Sequence, residues 1–269
     1  MAITAKDVKS LREKTGLGMM ECKEALAEVD GDVDKAVDLL RQRGLSKMDT
    51  RSDRTSAEGR VAAAVSEDRS KGAIVEINTE TDFTANNERF VAMAEQVAHE
   101  ALKQEPGAVE ANDAITAAID EVRLTTKENA QFARGHVVGG AGSVVGAYVH
   151  FNGKIAVLVE LTGEASDELL KDLCHHISAG TPAVPVGVTE DEVPASIVEK
   201  EREYAKAQAI EQGKPENIAE KMVEGKIRKF YDEHVLLRQP FIKDDKKQVK
   251  DLLPAGSEIK RFVRYQVGG

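Results

Sequence analysis

The sequence contains no Trp, and its aromatics, seven Phe and four Tyr, make up only 4% of 269 residues. A core must therefore be built from Ala, Val, Leu and Ile, and an aromatic placed in a polar loop stands out. Cysteine is almost absent. Cys22 and Cys174 lie far apart with no CxxC, which excludes a Cys-based zinc site and argues against a disulfide scaffold. The longest weakly polar run, Val137 to Val149, is Gly-rich and falls short of the roughly 18 residues a spanning helix needs. The opening Met1-Ala2-Ile3-Thr4-Ala5-Lys6-Asp7 has no basic stretch leading into an apolar one, so no secretory leader is expected. No membrane partner is expected, and the simplest location is the reducing cytoplasm.

Catalytic signatures are missing as well. The pairs Gly153-Lys154, Gly213-Lys214 and Gly225-Lys226 each lack the upstream Gly of a phosphate loop. In Gly139-Gly140-Ala141-Gly142-Ser143, Val145 falls where a dinucleotide fingerprint needs its third Gly, so the run reads as strand entry or close backbone packing. There is no GxSxG and no HExxH. His175 and His176 are neighbours on a predicted helix, point about 100° apart and cannot share a metal. The chain is not expected to be an enzyme, and no cofactor or metal is expected.

Charge is plentiful, at 31% of residues with a net of −10. Residues 226–269 carry eleven Lys/Arg against six Asp/Glu, a net of +5, which leaves −15 for residues 1–225. Such asymmetry marks either a nucleic-acid surface or a solvated basic face. With no stacking motif of aromatic and basic residues, the solvated face is favoured and no nucleic-acid partner is expected.

The first 45 residues predict three short helices. Thr4 and Asp7 form a capping box with Asp in the place of Glu, and Gly16 supplies a stop. A second helix from about Met19 to Val29 carries Cys22, Ala25, Leu26 and Val29 at helical spacing. Asp32 caps a third, which is expected to stop at Gly44. Cys22 reads as core. So small a bundle is either marginal or docked on a partner. Residues 46–59 are polar and aperiodic, a linker.

Two stretches then resemble each other. Val61–Ser66 and Ala73–Asn78 predict strands around a polar turn, followed by a helix from about Asn86 to Lys103. Val144–Phe151 and Ile155–Thr162 flank Asn152-Gly153, a strong hairpin signal, and a helix follows from about Ser166 to Ser178. Val75-Glu76-Ile77 matches Val159-Glu160-Leu161, which points to an internal duplication. The first copy has a longer strand-to-helix connection, Asn78-Thr79-Glu80-Thr81-Asp82-Phe83-Thr84. Phe83 either staples the helix behind it or stands free on the surface, and its spacing from Asn86 favours the staple. Asp113 to Phe132 predicts a further helix. Beyond Pro194 two charged helices joined at Gly213-Lys214-Pro215 predict an antiparallel helical hairpin, projecting or lying on a sheet. Glu258–Tyr265 predicts a strand completing the second copy's sheet.

The opening Val8-Lys9-x-Leu11-Arg12-x-Lys14-Thr15-Gly16-x-Gly18-Met19-Met20-x-Cys22-Lys23-x-Ala25-Leu26, the loop Thr81-Asp82-Phe83 and the block Ile218-Ala219-Glu220-Lys221-Met222-Val223-Glu224-Gly225-Lys226 resemble the bacterial elongation factor Ts family. The likeness runs in order over nearly the whole chain. It implies a guanine-nucleotide exchange factor whose partner is the GTPase elongation factor Tu, and an α+β architecture. Its parts would be a ubiquitin-associated-like bundle (1–45), the linker (46–59), a core N-subdomain (60–140), a core C-subdomain (141–190 and 229–269) and a helical hairpin (191–228). Some members self-associate through that hairpin. By the same likeness, Thr81, Asp82, Phe83 and Thr84 lie in the segment that dislodges Mg²⁺ from the GTPase, and Arg12, Met19, Met20 and His150 are further contacts. Met19 and Met20 open the second helix ahead of its core stripe, so one is expected exposed and one packed. Thr84 stands where the family usually has Val, a change expected to alter packing at the rim of the loop. The chain ends at Gly269 without the C-terminal extension of some members, so tail-mediated affinity is not expected. The competing reading is a helical adaptor or chaperone-like binder without exchange activity, in which Phe83 is structural.

Overall fold

The computed structural model describes residues 3–49, 56–213 and 215–269. The architecture is α+β, in two compact units: Met1–Ala62 with Val75–His136 and Tyr265–Gly269, and Ala63–Ile74 with Val137–Arg264.

Three helices open the chain: α1 (Ala5–Thr15), α2 (Met19–Glu28) and α3 (Val33–Asp49). The capping box at Thr4 is formed in both directions, and α1 ends with Gly16 in the left-handed region, its N–H donating to the Arg12 carbonyl. Lys35 N–H donates to Asp32 Oδ1 at 3.1 Å at the start of α3. Val8, Leu11, Cys22, Ala25, Leu26, Ala36 and Leu40 form the bundle's buried core. Contrary to expectation, α3 does not stop at Gly44. A Gly ends a helix by turning to positive φ; Gly44 stays helical, and no Pro follows. Residues 46–49 thus belong to α3 and 58–59 to the first strand, while 50–55 of the expected linker lie outside the described residues.

The chain continues through β1 (Glu58–Val65), β2 (Lys71–Thr79), α4 (Asp82–Ala85), α5 (Glu88–Ala101), β3 (Gly107–Ala108), α6 (Asp113–Thr126) and β4 (Gln131–Gly139), with sheet order β1-β2-β4-β3. At the β1–β2 turn Asp68 accepts hydrogen bonds from the Ser66 hydroxyl and from the Ser70 N–H and hydroxyl, which hold its carboxyl down at about 2. β4 corrects the sequence reading, which extended the preceding helix to Phe132. Lys127 instead adopts φ 59 as a left-handed cap and ends α6. The bundle is docked within its own unit: a Cβ on Gly44 would lie 1.9 Å from the Leu124 side chain of α6.

The second unit holds β5 (Ser143–Val149), β6 (Ile155–Thr162), α7 (Asp167–Ala179), α8 (Ala195–Glu211), α9 (Glu216–His234), β7 (Pro240–Phe241), β8 (Asp244–Gln248) and β9 (Glu258–Gln266). β5 and β6 pair antiparallel from Ser143 opposite Thr162 to Val149 opposite Ala156. β9 joins β6 to complete the three-stranded sheet, as expected. Val157, Val159, Leu161, Leu170, Leu173 and Ile177 pack α7 on this sheet. Gly139, in the expected close-packing run, has φ 102, and a Cβ there would lie 2.1 Å from the Ser70 carbonyl oxygen. Ala205, Val223 and Ile227, with Val198 and Tyr231, pack α8 and α9 on each other.

Candidate partner-binding site

The connection after β2 is not an open loop. Thr81 caps the one-turn helix α4, its Oγ1 accepting from Thr84 N–H at 3.3 Å. That turn buries Thr84 and Ala85 and leaves Asp82 and Phe83 outside. Phe83 is 85% exposed. The staple favoured by spacing is therefore overturned. The cap of α5 is Asn87, and Phe83, being itself helical within α4, is exposed instead of packing on the start of α5. Asp82 works through its backbone, its carbonyl accepting from Asn86 N–H at 3.0 Å and Asn86 Nδ2 at 2.9 Å.

The turn is anchored on Glu128, just beyond the α6 cap. Glu128 Oε2 accepts from Thr79 Oγ1 at 2.9 Å and from Thr81 N–H at 3.0 Å, and Oε1 accepts from Thr81 Oγ1 at 2.6 Å. Burial opposes the charge of this carboxylate, but the hydrogen bonds from Thr81, Thr84 and Thr79 together outweigh it and lower its pKa. Thr84 is itself buried and is among the residues whose hydrogen bonds lower the pKa of this carboxylate. Nothing in the sequence singled out Glu128; only the left-handed turn at Lys127 brings it back to the β2 end.

Arg12 lies exposed on α1. Met19 and Met20, at the first turn of α2, are 52% and 64% exposed, which corrects the expectation that one of them packs inside. The bundle core is already filled by Cys22, Ala25 and Leu26 from the same helix. Glu21 Oε2 accepts from Gly18 N–H at 3.1 Å, and its Oε1 lies 3.7 Å from Lys127 Nζ. Thus Thr81–Thr84 and the Met19–Met20 turn are tied to adjacent residues at the end of α6.

His150 belongs to the other unit, where it follows β5. Its Nδ1 lies 2.9 Å from Tyr148 Oη, and its ring centroid is 4.5 Å from that of Phe151. Phe151, 87% exposed, was missed by the sequence reading. The signal was an aromatic immediately before Asn152-Gly153 in a chain with few aromatics. His175 stacks edge-on to Tyr148 at 4.3 Å, whereas His176 is buried against Gln239. Among the described residues no helix is long and apolar enough to cross a membrane, and no group of three His, Cys, Asp or Glu side chains is arranged to hold a metal ion.

A family model described as elongation factor TS matches residues 80–269. The chain belongs to the elongation factor Ts family. Among curated relatives, elongation factor Ts of Alkalilimnicola ehrlichii is 46% identical over 276 residues, covering 100% of this chain and 93% of that protein. The elongation factor Ts of Thioalkalivibrio sulfidiphilus is 47% identical with the same coverage. That of Aquifex aeolicus is 38% identical over 291 residues, covering 100% and 99%. The family match begins at Glu80, two residues ahead of α4.

Proposed function

We propose that the protein is a guanine-nucleotide exchange factor for elongation factor Tu. It binds the GDP form, displaces Mg²⁺ and stabilises the vacant GTPase so that GTP can reload. The observation that carries this reading is an outward Phe83 on a turn that is itself capped and anchored, in a chain of the elongation factor Ts family. The adaptor reading needs a structural Phe83, and the exposure of the ring speaks against it.

An exchange factor needs no nucleotide site of its own; it must bind its partner better vacant than loaded. Whatever factor weakens nucleotide binding is the factor by which nucleotide weakens the exchange factor. Contacts equal in both states change nothing. Phe83 acts as an apolar wedge that enters beside the partner's Mg²⁺ site once that region shifts. Mg²⁺ demands near-ideal octahedral geometry, so a small displacement of its ligands is costly. Loss of the ion removes the positive charge that holds the phosphates. Burying one Phe contributes roughly 1.5–3 kcal/mol, or about one to two decades. Arg12, Met19 and Met20 supply further contact, the two thioethers adapting to the partner surface, and His150 contributes from the second core half.

In the same reading residues 1–45 are a ubiquitin-associated-like bundle. Residues 60–140, and 141–190 with 229–269, are the halves of a duplicated core, and 191–228 is a protruding helical hairpin through which two copies could pair, as in some members of the family. The setting is the cytoplasm. The test is release of a fluorescent GDP analogue from elongation factor Tu. Wild type accelerates it, and Phe83→Ala lowers the maximal rate about 10- to 100-fold, the decades assigned to the ring. Unchanged release by the folded variant refutes the wedge.

A further inference from the structure

A ring that is 85% exposed has little packing to orient it, and a one-turn helix cannot hold itself, since a single helical turn is unfavourable to nucleate. The direction of Phe83 must come from what grips its backbone. Glu128 grips the turn at Thr79 and at both the N–H and hydroxyl of Thr81, and that same hydroxyl caps α4 through Thr84 N–H. The grip is reciprocal: Glu80 Oε1 accepts from Asn129 N–H at 2.9 Å. The neighbouring Lys127 faces Glu21, which caps the first turn of α2 where Met19 and Met20 project.

We infer that Glu128 is a positioning residue for nucleotide exchange: its carboxylate locks the Thr79–Thr84 turn so that Phe83 is presented ready to insert. This rests on the exchange function proposed above. An ionised acceptor suits the task because charge-assisted hydrogen bonds are shorter and stronger than neutral ones. Ordering the turn in advance removes a cost that would otherwise fall on association. The clasp therefore acts on the step in which the ring inserts more than on the first encounter.

The test compares Glu128→Ala, Glu128→Gln, Thr79→Val and Phe83→Ala in stimulated release of the fluorescent GDP analogue, with melting temperature and amide exchange of residues 81–86 measured on each. Gln can still accept from Thr81 N–H and Thr79 through its oxygen and donate to Thr81 Oγ1. The expected result is an about tenfold lower maximal rate for Glu128→Ala, the scale of one hydrogen bond to a charged group. Its half-saturating concentration stays within about threefold, protection of 81–86 is lost, and Glu128→Gln recovers most of the rate. Thr79→Val, which keeps a β-branched residue in β2 and removes one donor, gives a smaller loss of the same kind. Wild-type release by Glu128→Ala while Phe83→Ala is impaired overturns the clasp and leaves the wedge standing. A lower melting temperature with an unchanged rate per folded molecule also overturns it. Wild-type release by both variants refutes the wedge and the clasp together.

Discussion

A phenylalanine ring in water forgoes the roughly 1.5–3 kcal/mol that burial would supply, and that energy is available to whichever surface covers it. Phe83 and Phe90 are separated by seven positions and sit at opposite extremes, one almost fully exposed and the other with 0% exposure in the core face of α5. Phe83→Ala should therefore change stability by less than about 0.5 kcal/mol, whereas Phe90→Ala should cost about 3–5 kcal/mol, as denaturant melts of the two variants will read. A large loss from Phe83→Ala would mean that the ring supports its own fold. Sequence spacing pointed the other way for Phe83 because it treats the approach to a helix as extended chain. The extra turn of α4, made by the Thr81 cap, leaves the ring exposed instead. The two Met residues were half legible: their place ahead of the α2 stripe predicts exposure, but a core already filled by other side chains leaves both exposed.

Among the elements, the strongly periodic and well-capped ones were legible. The capping box of α1, the antiparallel β5–β6 pair around Asn152-Gly153 and the two hairpin helices lie close to where pattern and punctuation put them. β4 was not, because Gln131-Phe132-Ala133-Arg134 follows a helix without Gly or Pro, and the break comes from a left-handed Lys. The short pair β7–β8 was also missed, since Asp244–Gln248 is almost wholly polar and carries no apolar alternation. The docking of α7 depends on a buried histidine. Gln239 Nε2 donates to the carbonyls of Ala183 and Glu233, so its Oε1 must accept from His176 Nε2–H at 2.9 Å, while His176 Nδ1 accepts from Ile242 N–H at 3.3 Å. Burial lowers the pKa of His176 below 6.5, against the opposing hydrogen bond of Gln239. A proton on Nδ1 would displace the Ile242 donor. Because the folded value is the lower one, the unfolded chain binds the proton first. This contribution to stability is full above pH 6.5 and is lost as pH falls toward the folded value. Melting temperature should thus fall as pH is lowered below 6.5, and His176→Gln should flatten that fall; an unchanged slope in the variant contradicts the assignment.

At the scale of the whole molecule, the two matching Val-Glu-Ile/Leu stretches share a strand setting and a way of compensating charge. Glu76 on β2 and Glu160 on β6 occupy matching positions, and both are buried. Arg134 reaches Glu76 at 2.7 Å, and Lys260 and Arg261 reach Glu160 at 3.4 and 3.2 Å. A buried carboxylate persists where cations and donors compensate it, so the repeated Val-Glu-Ile/Leu text carries a repeated solution. The connection after β2 is longer than the one after β6 and holds α4, with Phe83 exposed and Thr79 and Thr81 hydrogen-bonded to Glu128. The function rests on that difference only if the ring contributes more to the vacant partner than to the loaded one. The direct measurement is the dissociation constant of wild type and Phe83→Ala for elongation factor Tu, once nucleotide-free and once saturated with Mg²⁺ and GDP. The account predicts that the substitution weakens binding to the vacant form by about one to two decades and leaves binding to the loaded form nearly unchanged. Equal weakening of both forms would contradict it.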